Sequence, residues 1–345
     1  SESILRAVRG AEQLAGVPVE SAVLGVGGPT VRGGNSRSTI ELGRPREIEA
    51  RDVTRVTDRA SRVQLQDDRM VLQVCLQDFM VEDHPGQRDP RKLVASRLEA
   101  NFHVITASVL EQNALVTATN QAHLSVQETI FEPFAAGYAA ILPEERREGI
   151  ALLDIGAHST GLIVYHGDAL QLASNLTVCG DHFTRDVARG LCTTYEDAAL
   201  LKKEYGCAVV GFTADNSLIE VPSPDGREAR EAPRRKLNQI LEARAEELFR
   251  YVRRDLARVG MDQALMGGVV LTGGGALLPG ILDMAERVLN CQARNGLVLG
   301  LKDWPDEIDN PEWSVAAGLM MYSVKLKGNA DATKRSVGLL GRIMK

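Results

Sequence analysis

Residues 151–170 read ALLDIGAHSTGLIVYHGDAL. A hydrophobic run ends in Asp154, turns through Gly156, re-enters an apolar run, and turns again at Gly167-Asp168. An Asp at a strand end followed by a glycine hairpin can hold a metal-bound water and wrap backbone N–H groups around a phosphate. The same pattern also describes two plain strands and a turn. Farther along, residues 269–280 read VVLTGGGALLPG. Here a buried strand delivers Thr272-Gly273-Gly274-Gly275 at its carboxyl end, shortly before a helix. Consecutive glycines let a backbone approach a ligand without Cβ clashes, and a helix amino terminus favours anionic groups. The alternative is a tight strand-to-helix turn with no ligand, because a lone glycine cluster is weak evidence. Two such stretches on separate strands are what a two-domain clamp on a nucleotide requires.

The 345 residues leave room for about two or three domains. A hydrophobic fraction of 44% and a charged fraction of 25% are those of a soluble globular protein. The net charge of −6 argues against a general nucleic-acid binder, and 4% aromatics offer no stacking platform for single strands. Cys75, Cys179, Cys192, Cys207 and Cys291 are scattered, odd in number and without a CxxC pair, which fits buried thiols in a reducing compartment. His84, His103, His123, His166 and His182 form no spaced cluster, so no zinc site is expected, and no GxSxG nucleophile signature occurs. Neither a signal peptide nor an apolar run long enough to span a bilayer is present. The chain opens at Ser1 on SESILRAVRGAEQLAGV, a helical pattern that reads as if it enters a fold midway.

Along the chain, SAVLGVGG is a short β run closed by glycines, and a polar stretch follows. EARDVTRVTDRASRV has helical spacing through Val53, Val56 and Ala60. MVLQVCLQDFMVED and RLEANFHVITAS alternate as half-buried strands around the turn-rich HPGQRDPRKL. From Glu47 to about Ser108 these residues read as a compact insert. Strand pairs are expected around Ile150–Val164 and Leu170–Thr177, and helices over His182–Arg189, Asp197–Tyr205 and about Lys236–Val259. A final apolar helix, PEWSVAAGLMMYSVKL, precedes the tail. Strands interleaved with helices argue α/β.

Several segments, in order, resemble the actin-like ATPase superfamily and, within it, the FtsA family of bacterial cell-division proteins. RMVLQVCLQDFMVED with ANFHVITAS is similar to that family's side insert, and EPFAAGYAAIL to the superfamily's connecting helix through Glu132, Pro133 and Ala136. DIGAHSTG stands at the second phosphate motif. GDHFTRDVARGL follows it, with Gly180, Thr184, Asp186 and Ala188, and EDAALLKKEYG carries Lys202 and Gly206. IEVPSPDGREAREAPRRKLNQILEARAEEL runs into the adenosine-contacting helix with Glu242 and Arg244, and VVLTGGGALLPG is the adenosine motif. The resemblance implies an α/β, actin-like fold of two ribonuclease-H-like halves with an FtsA-type SHS2 insert. The expected layout puts the first half at 1–45, the insert at 46–125 and a return to the first half at 126–148. The second-half core then takes 149–180 and 265–310 around an upper subdomain at 181–264, a terminal helix takes 311–326, and a linker with a membrane-targeting helix takes 327–345.

The same resemblance implies ATP as ligand, through Asp154, Gly156, Ser159, Thr160, Gly180, Lys202, Glu242, Arg244, Gly273, Gly274 and Gly275. Asp154 and Glu132 are the candidates to position Mg²⁺ and water. Two departures bear on mechanism. Relatives carry a strand and a first phosphate hairpin ahead of the opening helix, roughly fifty residues on usual domain sizes, and that pattern is expected to be missing here. The second phosphate motif is usually DIGGGT and then an acid, whereas Ala157 and His158 replace two glycines, Ser159 replaces Thr, and Gly161 stands at the acid. A Cβ at those positions obstructs close backbone approach. His158 is either an exposed turn residue or an added phosphate donor. The hairpin is therefore expected to hold nucleotide with little hydrolysis, in an adaptor that is at most a weak ATPase.

The tail reads independently. On a helical wheel Val337, Leu339, Leu340, Ile343 and Met344 take one side and Lys334, Arg335, Arg342 and Lys345 the other, with Ser336 intruding. Such a helix suits an anionic bilayer surface; a disordered basic tail and a partner-docking helix are the alternatives. The family's membrane-targeting helix sits at this position, which implies a peripheral protein on the cytoplasmic face of the bacterial inner membrane, at the division septum. REAPRRKLNQ is a charged run that serves either as a solvated face or as the family's seat for the acidic tail of FtsZ, through Arg234, Arg235 and Lys236. Other implied partners are further copies of the chain in filaments and other division proteins reached through the insert. A soluble PilM-type pilus-assembly adaptor and a sugar- or acetate-kinase-like enzyme are the rival readings on the same fold.

Overall fold

The computed structural model describes residues 2–224 and 228–327. The tail positions from Lys334 to Lys345 expected at a membrane lie outside the described residues. The chain starts with helix α1 (Glu2–Ala15) and strand β1 (Ser21–Val26). The insert follows as β2 (Arg32–Glu47), α2 (Ala50–Ser61), β3 (Arg69–Val81), β4 (His84–Gln87) and β5 (Val94–Ser108). Its sheet has the order β2-β5-β3-β4, and α2 packs Val56 and Ala60 against Ile40, Phe79, Leu98 and Phe102 of one face. Asp52 fixes the start of α2 by accepting from the Glu49 backbone N–H at 3.0 Å, and Arg46 holds that carboxylate from two sides at 2.7 and 2.8 Å.

The insert begins earlier than expected. β2 pairs antiparallel with β5 from Arg32↔Thr106 to Glu47↔Val94, so residues assigned to the first half belong to the insert sheet. The strand was hidden because most of its side chains face solvent and no apolar alternation marks it. The insert also ends earlier. Helix α3 (Val109–Asn120) leads into β6 (Ser125–Phe131), which pairs parallel with β1 and returns to the first half.

Next come α4 (Glu132–Ala140), α5 (Pro143–Glu148), β7 (Ile150–Ile155), β8 (Thr160–His166) and β9 (Ala169–Leu176). The upper part consists of α6 (Gly180–Leu191), α7 (Tyr195–Tyr205), the antiparallel pair β10 (Leu218–Val221) and β11 (Arg230–Pro233), and the long α8 (Arg234–Arg258). β12 (Val269–Thr272), α9 (Ile281–Leu289), β13 (Ala293–Asn295) and a helix over 314–327 complete the described chain. The central sheet runs β13-β12-β7-β8-β9. It is covered on both faces, which explains why β7, β8 and β12 are almost wholly apolar. The period of two splits β7 between them. Ala151, Leu153 and Ile155 join the core with α6, α8 and α9, and Ile150 and Leu152 join the core shared with α4 and the first half.

Two polar contacts seat the insert. Gln73, nearly buried, donates from Nε2 to Thr129 O at 3.0 Å and accepts from the Phe131 N–H at 3.1 Å, so its side-chain amide acts as a further strand beside β6. His103 Nε2 accepts from the Ala173 N–H at 2.9 Å, and its Nδ1 pairs with Asn35 Oδ1 at 2.7 Å. Burial pushes this imidazole down to about 4, so it is neutral and free to accept. Gly33 lies so close to β9 that a Cβ there would come within 2.2 Å of Ala173 O.

Replacing Gln73 by Leu leaves a buried carbonyl and a buried N–H without partners. The expected cost is about 2–4 kcal/mol, read as a lower urea midpoint with an unchanged slope.

Candidate functional site

The candidate site is built where β7 and β12 end side by side. They pair parallel, with Thr272 opposite Asp154. The Thr272 hydroxyl lies 3.3 Å from both Leu153 O and Asp154 Oδ1. The chain leaving β12 must do so without bulk. A Cβ on Gly273, whose φ is 78°, would sit 2.6 Å from Asp154 Oδ1, and one on Gly275 would sit 2.3 Å from Ile155 Cγ2.

The β7–β8 turn is a tight hairpin in which Gly156 N–H donates to Ser159 O at 2.9 Å. Its carbonyls are taken by the first turn of α6: Gly180 N–H reaches Gly156 O at 2.9 Å and Asp181 N–H reaches Ala157 O at 2.8 Å. The fit at Gly180 is tight, since a Cβ there would lie 3.1 Å from Gly156 O. The exposed His158 reaches across to Asp181, with Nδ1 at 2.8 Å from Oδ2, and the Tyr195 hydroxyl donates to Asp181 Oδ1 at 2.6 Å. These contacts hold Asp181 below the usual carboxylate range, the tyrosine hydroxyl contributing most. Lys202 Nζ donates to Thr184 Oγ1 at 2.7 Å and to Gly180 O at 3.2 Å, and burial lowers its pKa.

A cleft of ≈ 560 Å³ lies between these parts, a size suited to a small-molecule ligand. Its lining includes the apolar side chains of Phe183, Ala199, Leu277, Leu278 and Pro279. It also includes Gly156, Gly180, Gly274 and Gly275, together with Asp181, Lys202 and Lys203. A nucleotide's chemistry fits this lining, which combines apolar side chains, close-approach glycines and lysines. Gly156, Gly180, Lys202, Gly274 and Gly275 therefore meet at one cavity, with Asp154 and Gly273 directly behind its floor.

Besides Asp154 and Gly273, four expected residues are not in the cavity wall. Ser159 serves the hairpin turn, and Thr160 is wholly buried with its hydroxyl unpartnered. Glu242 accepts from the Val210 N–H and pairs with Arg287 at 2.9 Å, while Arg244 pairs with Asp186 at 2.5 Å and with Glu247. Two positions apart on one helix are about 200° apart around its axis, so both could not face one cleft. Asp181, Tyr195, Lys203 and Glu312 line the cleft without having been singled out. Asp181 lies within GDHFTRDVARGL, Lys203 within EDAALLKKEYG and Glu312 within PEWSVAAGLMMYSVKL, and Tyr195 directly precedes the second of these segments.

Glu132 and Asp154 form a desolvated carboxyl pair. Burial, then the neighbouring Asp154, pushes Glu132 up to about 7, and burial pushes Asp154 up to about 6 against the Thr272 hydrogen bond. Gly27 makes room for the first of them, since a Cβ there would lie 2.1 Å from Glu132 Oε2. Two oxygen donors suit Mg²⁺, which keeps waters and takes its remaining ligands from phosphates. Among the described residues there is no cluster of three or more metal-ligating side chains, so the chain alone offers no closed metal cage. On the upper subdomain, Arg234 donates to Tyr205 O at 2.8 Å, Arg235 pairs with Asp215 at 2.5 Å, and Lys236 is exposed.

Comparison with known proteins places this geometry. The family model described as "Cell division protein FtsA" matches residues 151–318, and "SHS2 domain inserted in FTSA" matches residues 28–106. The chain is 32% identical over 336 residues to cell division protein FtsA of Pseudomonas aeruginosa, covering 97% of this chain and 80% of that one. It is 29% identical to FtsA of Escherichia coli K12, over 99% of this chain and 83% of that one. Among solved structures, a PilM–PilN type IV pilus biogenesis complex superposes with a TM-score of 0.63 at 18% identity, over 93% of this chain and 85% of that one. MreB 5 of Spiroplasma citri bound to AMPPNP does so with 0.54 at 18% identity, over 65% and 67%. These structural likenesses speak to the actin-like fold alone. With sequence relatives over nearly its whole length, its insert matched and its cleft at the expected strand ends, the chain belongs to the FtsA family of cell-division proteins.

Proposed function

We propose that this protein binds ATP in the cleft between the β7–β8 hairpin and the glycine turn after β12, self-assembles in that state, and tethers FtsZ filaments to the inner face of the bacterial membrane at the septum. The observation that carries the reading is the cleft itself, which opens at the carboxyl ends of parallel strands, where open α/β sheets take their ligands. Lys202 and Lys203 supply positive charge, and Gly274 and Gly275 let a ligand approach the backbone. Asp154 and Glu132 would hold Mg²⁺, which supplies charge neutralisation for the phosphates when bound.

Ala157 and His158 place side chains where a hairpin built to wrap phosphates would have none, which favours holding ATP over rapid turnover. ATP then acts as a conformational ligand that biases assembly. Arg235 and Lys236, on the exposed start of α8, would steer the acidic FtsZ tail. The membrane contact is assigned to Lys334, Arg335, Val337, Leu339, Leu340, Arg342, Ile343, Met344 and Lys345, where many copies in a filament compensate for a short helix.

The test is sedimentation with anionic liposomes and FtsZ, with and without ATP-Mg²⁺. FtsZ is expected in the pellet only when this protein is present. Deleting 334–345 should release both proteins, and Arg235→Glu should release FtsZ while leaving this protein on the vesicles. Sedimentation of this protein without FtsZ refutes the tether.

The carboxyl pair yields a second expectation. Glu132 titrates near 4.5 when unfolded and at about 7 when folded. The folded state therefore binds the proton more tightly, and stability falls as pH rises from 4.5 to 7. Glu132→Gln should flatten that fall in thermal melts. Mg²⁺ with ATP should raise the melting temperature at pH 8 more for the parent protein than for the variant.

A further inference from the structure

The cleft contains an anion that a phosphate-binding site has no evident use for. Asp181 lines the cavity with its side chain only 15% exposed, and it is fixed from both sides: His158 lies 2.8 Å from Oδ2 and the Tyr195 hydroxyl donates to Oδ1 at 2.6 Å. These partners come from separate elements, the hairpin tip and the start of α7, so the carboxylate cannot swing away without losing one of them. A carboxylate accepts about four hydrogen bonds, so acceptor capacity remains after these two. It donates none when ionised, and it repels phosphate.

Only the parts of a nucleotide that donate hydrogen bonds can meet such a group favourably. They are the ribose hydroxyls and, for adenine, the exocyclic amine. Contacts separate them. The Asp181 N–H binds Ala157 O at 2.8 Å, so the residue is held against the hairpin turn that would face the phosphates. The apolar side chains of Leu277, Leu278 and Pro279, suited to a base, belong to a different segment, the stretch after the glycine turn. The sugar is the piece of a nucleotide that follows its phosphates.

We infer that Asp181 is a specificity-determining residue that reads the ribose 2′- and 3′-hydroxyls, with His158 and Tyr195 as the positioning residues that hold it. The inference rests on the reading of this cleft as a nucleotide site. It gives His158 a role in orienting a carboxylate in place of contacting phosphate.

The experiment is calorimetric titration of the full chain with ADP, 2′-deoxy-ADP and 2′,3′-dideoxy-ADP, each with Mg²⁺, for the parent protein, Asp181→Ala, Asp181→Asn and Tyr195→Phe. The parent should prefer ADP over the dideoxy analogue by about tenfold to a hundredfold, the range of hydrogen bonds to a charged group. Asp181→Ala should bind all three ligands alike, at the parent's affinity for the dideoxy form. Tyr195→Phe should keep a smaller preference, with the carboxylate present but less fixed. The ratio within one variant is its own control, because a loss of folded protein lowers all three titrations together. Equal binding of the three ligands by the parent overturns the inference while leaving the nucleotide site standing, and so does a preference that survives in both Asp181 variants. If ADP and its analogues all fail to bind the parent, the nucleotide reading fails and the inference falls with it. The same proteins are then titrated with inosine diphosphate: if loss of Asp181 removes a preference for ADP over inosine diphosphate and spares the preference for ribose, the carboxylate reads the base and the inference is wrong.

Discussion

Two parallel strands that end within one residue of each other set the constraint on which this molecule depends. β7 and β12 lie side by side up to Asp154 and Thr272, and β12 turns away there while β7 runs one residue further, to Ile155. Ile155 packs where a Cβ of Gly275 would go, and the Asp154 carboxylate occupies the space a Cβ of Gly273 would need. Glycine at those positions is therefore a packing requirement before it is a ligand requirement. The crevice results from two backbones diverging around that contact.

Around the crevice the electrostatics divide cleanly. Behind the floor lie two carboxyls made weak acids by burial, and on the wall lie lysines and one ionised Asp. The buried pair is costly to ionise without a cation, whereas the wall Asp is ionised and held from two sides. Carboxyl groups around one crevice thus differ in ionisation, and their environments, not their residue types, separate them.

Much of this was legible in the sequence. The glycine turn after β12, the Asp-ended β7 and the insert's apolar strands announced themselves because burial on fixed faces imposes a period that composition cannot hide. β2 did not, since a strand whose side chains mostly face water carries no such period. Glu242 and Arg244 were assigned by likeness of a motif, and the phase of α8 turned them toward Arg287 and Asp186. Asp181 and Tyr195 are hidden in the sequence for the opposite reason. Their meeting is produced by the packing of α6 and α7 against the hairpin, which no local spacing encodes.

The side-chain amide of Gln73 has a mechanical consequence. It grips β6 at Thr129 and Phe131, and the residue after Phe131 is Glu132, the first of α4. No slack separates the grip from the carboxyl. A force applied to the insert would arrive at the cleft as a displacement of Glu132 relative to Asp154, with the short strand as the connecting rod. The insert is thus positioned less as an ornament on the side of the molecule than as a handle on its buried acid pair.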